Sequence, residues 1–357
     1  MRRISSPSFT RSSNHTLHRL LNTRFQAGVL LSGLLLTGCA TAPQTRQLTA
    51  ARPTGLPVAH ELEQVPFFPQ TRYQCGPAAL ATVLATYGVD VSPDTLVDQV
   101  YVPRLKGSLP EEITASARRH GMLAYPLAPA LTALLSEIAE GHPVLVFQNL
   151  GLRWLPKRHF AVVVGYDLEA GELVLRSGTL RRRRTPLAVF ERTWARLQRR
   201  AWVILPPGEV PASAELLPYL RAAHELERSD NPATARAAWR AGTRAWPDSF
   251  RAWIALGNSH YAAREFSQAG AAFRRATRLA PDKPAAWNNL AYALLKTRCP
   301  QQARVAADCA LKLAPDDTQA RHTAEEIDGL ATGSDAPHCL AVTCSTPSTT
   351  ETPAGKP

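Results

Sequence analysis

The stretch YQCGPAALATVLATYG, Tyr73 to Gly88, places a cysteine directly before a glycine, a proline and an apolar run of helical character that stops at Gly88. Proline carries a fixed φ and no N–H, so it suits the first helical turn, and Cys75 then falls at a helix N-terminus. The positive end of the helix dipole favours a thiolate there. A lowered thiol pKa is what a nucleophilic cysteine requires, and a structural thiol gains little from the same position.

The region around this stretch, residues 61–207, reads as helices first and strands second. Ala78 to Tyr87 forms one helix, and Ser92 caps another with Pro93 at its first position. LPEEITASARRHG and ALTALLSEIAEG give two more, ended by Gly121 and Gly141. The β-branched runs PVLVFQNL, HFAVVVGYD, ELVLRSG and AWVILPP follow as strands. Helices followed by consecutive short strands predict an α+β domain with an antiparallel sheet.

His159 opens the strand HFAVVVGYD, 84 residues after Cys75, where its ring can serve as base to the thiol. Gln70, five residues before Cys75, can offer an amide N–H to an oxyanion beside the Cys75 main-chain N–H, and the adjacent Gln74 competes for that role. His142, in GHPV, reads as a structural residue entering a strand. No group of His, Asp and Glu has metal-ligand spacing, so neither metal nor organic cofactor is expected.

Together, PQTRYQCGPAAL and HFAVVVGYD resemble the bacteriocin-leader-processing cysteine peptidases, papain-like domains that cut after a double glycine. The resemblance covers residues 62–206 and implies a papain-like fold, with Cys75 as nucleophile, His159 as base and then acid, and Gln70 as oxyanion donor. The chain departs from the family twice. The family spaces its glutamine one residue further from the cysteine, and its histidine-orienting aspartate falls here on Arg176 or Ser177. Ser177 can orient the ring by a hydrogen bond, or Asp167 can reach it, although Asp167 also reads as a turn residue of the hairpin YDLEAGE. The expected activity is peptide-bond hydrolysis through an acyl-enzyme. The alternatives are a weak or inactive peptidase-like scaffold that grips a peptide without cutting it, and acyl transfer to an amine by the same dyad.

Beyond this domain the sequence repeats. Trp253, Leu256, Gly257, Ala269, Phe273, Ala276 and Pro281 recur 34 residues later as Trp287, Leu290, Ala291, Ala303, Ala307, Ala310 and Pro315. The same step backwards reaches Tyr219, Ala222, Ala223, Ala235, Trp239, Gly242 and Pro247. Period and order resemble the tetratricopeptide repeat, which implies about three all-α helix pairs over 215–330 and a protein or peptide partner. The Ser/Thr/Pro-rich residues 331–357 read as a disordered tail.

At the other end, basic residues precede the apolar run AGVLLSGLLL and then LTGC, Leu36 to Cys39. The run is too short for a bilayer span and has the shape of a secretory signal. It resembles the lipobox of bacterial lipoproteins, which implies a signal peptide over 1–38, lipidation of Cys39, and an anchor facing the periplasm. Ala40 after the cysteine points to the outer membrane. Residues 39–60 read as a linker. Of the six cysteines, Cys299 with Cys309 and Cys339 with Cys344 are close in sequence and expected to pair in an oxidising compartment, leaving Cys75 alone.

The composition, 45% hydrophobic over 357 residues, excludes a disordered or fibrous chain. Net charge is +12, and nine arginines lie between Arg176 and Arg200 against the single acid Glu191. That cluster reads as a solvated loop between strands, and export argues against nucleic acid as its partner.

Overall fold

The computed structural model describes residues 42–70, 74–229, 232–330 and 333–344. The expected signal peptide and Cys39 lie outside the described residues. Among the described residues no helix is long and apolar enough to cross a membrane.

The first half of the chain runs α1 (Pro43–Ala50), β1 (Ala59–Glu61), α2 (Cys75–Thr86) and α3 (Pro93–Val100). The small hairpin β2 (Tyr101–Val102) and β3 (Gly107–Ser108) leads to α4 (Pro110–Arg119), β4 (Leu123–Pro126) and α5 (Leu131–Ala139). Then come β5 (Val144–Asn149), β6 (Arg158–Asp167), β7 (Glu172–Ser177), β8 (Leu180–Pro186), α6 (Leu187–Ala195) and β9 (Ala201–Leu205). β2 and β3 pair with each other, and the remaining strands form one antiparallel sheet in the order β4-β9-β5-β6-β7-β8, with β1 paired to the far end of β6. This is the α+β arrangement expected from the sequence.

Helix α2 is the centre of the domain. Every residue from Gly76 to Leu84 is buried, as expected of a helix that is apolar on all sides, and it packs on β6. Gly88 and Gly141, with φ of 77° and 92°, take the left-handed conformation that ends α2 and α5. Ser92 and Thr95 form a reciprocal capping box at the start of α3.

Two expectations are corrected in this half. Residues 39–60 are not simply a linker, because α1 is docked. The carboxylate of Glu191, buried on α6, accepts from the main-chain N–H of Gln44 at 3.2 Å and of Thr45 at 2.8 Å. An anion at a helix N-terminus is stabilised by exposed N–H groups and by the dipole. Gln44 Oε1 in turn accepts from Leu131 N at 2.7 Å and so caps α5. The arginine run is likewise not a loop: Arg181 to Arg184 lie within the edge strand β8, exposed on both faces. A charged edge strand resists pairing with further strands.

The second half is helical. Its pairs are α7 (Leu216–Glu227) with α8 (Pro232–Ala245), α9 (Phe250–Ala262) with α10 (Phe266–Leu279), and α11 (Pro284–Lys296) with α12 (Pro300–Leu313), followed by α13 (Thr318–Leu330). The repeated positions have repeated duties. Trp253 Nε1 donates to Pro247 O at 2.8 Å and Trp287 Nε1 to Pro281 O at 2.9 Å; one period further, Arg321 donates to Pro315 O at 3.0 Å. Gly257 is small because an added Cβ would fall on the Phe273 ring.

The halves share a core. Leu123 and Tyr125 of β4 pack with Tyr219, Ala223 and Leu226 of α7. Glu137 is fully buried on α5; its carboxylate takes the main-chain N–H of Ala212 and Ser213 and the Ser213 hydroxyl, and also contacts His142 Nδ1 at 2.8 Å.

The described part of the tail is ordered by disulfides whose pairing corrects the expectation: Cys299 joins Cys339 and Cys309 joins Cys344. Neighbours in sequence do not pair because Cys299 and Cys309 are separated along α12, whereas residues 335–344 return across it. The remaining tail residues, 345–357, lie outside the described residues.

Candidate functional site

Cys75 occupies the first turn of α2, with Gln74 at the N-cap. Gly76 is required by close approach, since a Cβ there would fall on the Ser108 side chain of the β2–β3 hairpin. The free thiol is mostly buried, and burial pushes its pKa up. Main-chain N–H groups of Phe160, Gly76 and Cys75 itself oppose that rise by hydrogen bonding toward the sulfur, without reversing it.

The Phe160 contact brings His159 to the site, because it makes the residue after His159 a direct neighbour of the sulfur. Phe160 is itself fixed by stacking on Phe147, with ring centroids 4.4 Å apart. His159 Nε2 lies 2.9 Å from Ser177 Oγ. When Nε2 donates to that hydroxyl, the neutral ring keeps its lone pair on Nδ1. Burial pushes the imidazole pKa down to about 4, and the positive charges of Arg183 and Lys157 push in the same direction. The site therefore rests as neutral thiol and neutral imidazole, not as the thiolate favoured by helix position alone. Among the described residues no hydrogen bond joins Cys75 to His159.

Ser177 is thus where a ring-orienting group is needed. Its neighbour Arg176 points the other way, as alternation along a strand dictates. The buried Arg176 guanidinium donates to the carbonyls of Leu62, Glu63, Val65 and Arg181. It holds the segment that leads toward Gln70, whose main-chain N–H donates to Gly178 O at 3.0 Å in the turn after Ser177. Gln70 is thereby tied to the turn beside Ser177, and Gln74 is the N-cap adjoining Cys75.

Asp167 is corrected. It lies at the opposite end of β6, eight residues from His159, roughly 26 Å at strand rise. It accepts from Ala170 N at 2.8 Å as a turn residue and faces Arg184 at 3.5 Å. His142 belongs to the Glu137 network. The sequence did not single out Glu137, and it marked Arg176 and Glu191 only by position and charge, not as the anchors they are: each also holds main-chain groups more than 70 residues away, which nothing local announces. Among the described residues one group has metal-ligand chemistry, Cys299, His338 and Cys339, and its two sulfurs are bonded to each other.

Residues 62–202 match the model of the Peptidase_C39 like family, and residues 220–282 and 254–318 match that of the tetratricopeptide repeat. No protein of curated function matches the chain. Among solved structures the chain is similar to a putative C39-like peptidase from Bacillus anthracis, at 16% identity and TM-score 0.35, over 41% of this chain and 97% of that one. It is also similar to the peptidase domain of Streptococcus ComA, a bi-functional ABC transporter involved in a quorum sensing pathway, at 22% identity and TM-score 0.34, over 40% and 99%. The helical half is similar to the first tetratricopeptide domain of Spaghetti bound to an HSP90 peptide, at 15% identity and TM-score 0.31, over 32% and 90%.

Proposed function

From a peptidase C39-like domain joined to tetratricopeptide repeats, we propose a cysteine peptidase that cleaves peptide bonds at Cys75 and recruits its substrate or a protein partner through the repeats. One observation supports this most: the Cys75 sulfur lies against the main chain of Phe160 while the adjacent His159 is oriented by Ser177. In the proposed reaction His159 Nδ1 takes the thiol proton as Sγ attacks the scissile carbonyl carbon. The Cys75 N–H and the amide of Gln70, or of Gln74, hold the oxyanion. The imidazolium then protonates the leaving amine as the C–N bond breaks, leaving a thioester that water hydrolyses. The LTGC segment supports tethering through a lipidated Cys39 to the outer membrane, facing the periplasm.

The shifts of Cys75 and His159 toward their neutral forms, and a hydroxyl, Ser177, as the His159 partner with no carboxylate beside it among the described residues, favour a second reading, a peptidase-like protein that binds peptide without cutting it. The two separate when the chain is incubated with a peptide mixture and the products are read by mass spectrometry. The peptidase reading expects new termini that vanish in Cys75→Ala and fall by about 10²-fold or more in His159→Ala. Intact peptides retained on the protein, with no cleavage in any variant, would establish the second reading.

A further inference from the structure

Arg274, Arg275 and Arg278 line a cavity of about 390 Å³ on α10, closed on one side by His338, Cys339 and Leu340 of the tail. A second cavity of about 390 Å³ adjoins it through Phe266, Ser267, Thr297 and His338, and is lined by Arg264, Lys296 and Arg298. The joined trough is therefore basic at both ends and apolar between them, where Phe266, Leu294 and Leu340 lie.

Few of these charges are answered. Arg274 spends its guanidinium on the carbonyls of Ala341 and Leu340, which holds the tail in place, and Arg275 meets Asp248 at 3.1 Å. Glu265, the acid of the second cavity, is taken by His260 and Arg236, and Asp335 accepts from Gln301 N. Among the described residues no carboxylate pairs with Arg264, Arg278, Lys296 or Arg298. Such unanswered like charges around a concave surface favour an anionic ligand.

Shape separates a small anion from a chain. From Ser267 to Arg278 the trough follows α10 for eleven residues, roughly 16 Å at helical rise. A single phosphate spans a fraction of that length, whereas about five extended residues cover it. We propose that this trough binds an extended acidic peptide segment of a partner protein, with carboxylates on the two basic ends and an apolar side chain over Phe266 and Leu294. Its wall comes from residues beyond the repeats, so the site exists because the Cys299–Cys339 disulfide holds the tail over α10.

The test uses the full chain carrying Cys75→Ala, so that no probe is cleaved, and a fluorescent five-residue peptide with two acids on each side of a leucine. Binding is read by polarisation. The peptide is expected to bind at least tenfold tighter than its Gln/Asn analogue, and the double variant Arg278→Glu with Lys296→Glu is expected to weaken it at least tenfold. Arg52→Glu, in the exposed segment after α1, is expected to leave it unchanged. Changing Cys299 and Cys339 to Ser is expected to weaken binding while circular dichroism stays the same. Equal binding of the analogue, indifference to the double variant, loss with Arg52→Glu, or displacement by equimolar inorganic phosphate would each overturn the proposal.

Discussion

At Cys75 two physical terms compete. Helix position favours the thiolate, burial favours the thiol, and burial wins. His159 is displaced the opposite way. With its value near 4, the ring is already neutral through the range in which an ordinary histidine titrates, so it is competent as a base down to low pH. The acid limb of kcat/KM for peptide cleavage is expected near pH 4, not near the ordinary 6.5 or so. Removing the Arg183 charge lets the imidazole pKa rise, so Arg183→Ala is expected to move that limb upward; a pH series from 3.5 to 8 on both proteins checks it. Gly76 carries a separate prediction. In Gly76→Ala the new methyl falls on Ser108, and overpacking of this kind costs about 1–3 kcal/mol. Denaturant unfolding is expected to show that loss, with cleavage falling because the turn holding the sulfur shifts.

Among the elements, α5 and α6 each hold a distant segment with one buried carboxylate. Burial raises the Glu137 pKa, but hydrogen bonds from His142 and Ser213 outweigh it and hold it below the usual carboxylate range. Because the folded value is depressed, the stability it contributes is present above the unfolded value and is lost as pH falls through the folded one. Glu137→Gln is expected to cost about 1–3 kcal/mol at neutral pH, since its partners lose a charged acceptor. The difference from wild type should shrink as pH falls from the unfolded value of about 4.3 through the depressed folded one, where the wild-type carboxylate is itself protonated; urea unfolding at pH 7 and in an acid series below pH 4 measures both. β8 shows why an edge strand reads as a loop. Four consecutive arginines have no apolar alternation, and on an exposed edge strand both faces meet water, so the residues carry no trace of the pairing with β7.

Over the whole molecule, two disulfides clamp the described tail to the last repeat, closing loops of 40 and 35 residues. Loops of that length are each worth about 4 kcal/mol in the chain-entropy description, and typically about 2–4 when measured. Changing Cys309 and Cys344 to Ser is expected to lower the unfolding midpoint of the chain and to expose α12 to proteolysis; calorimetry with and without reductant reads the effect. The sequence by itself determined what depends on local pattern: the helix that presents Cys75, the strand that carries His159, the α+β class, and the 34-residue period of the helix pairs. These rest on periodicity, capping and proline or glycine geometry, which act over a few residues. Only the tertiary structure decided which group faces His159, that Asp167 lies at the wrong end of its strand, that the thiol rests neutral, and which cysteines pair. Each of those depends on burial or on contacts between residues far apart in the chain, and neither desolvation nor a long-range partner leaves a mark on the residues nearby.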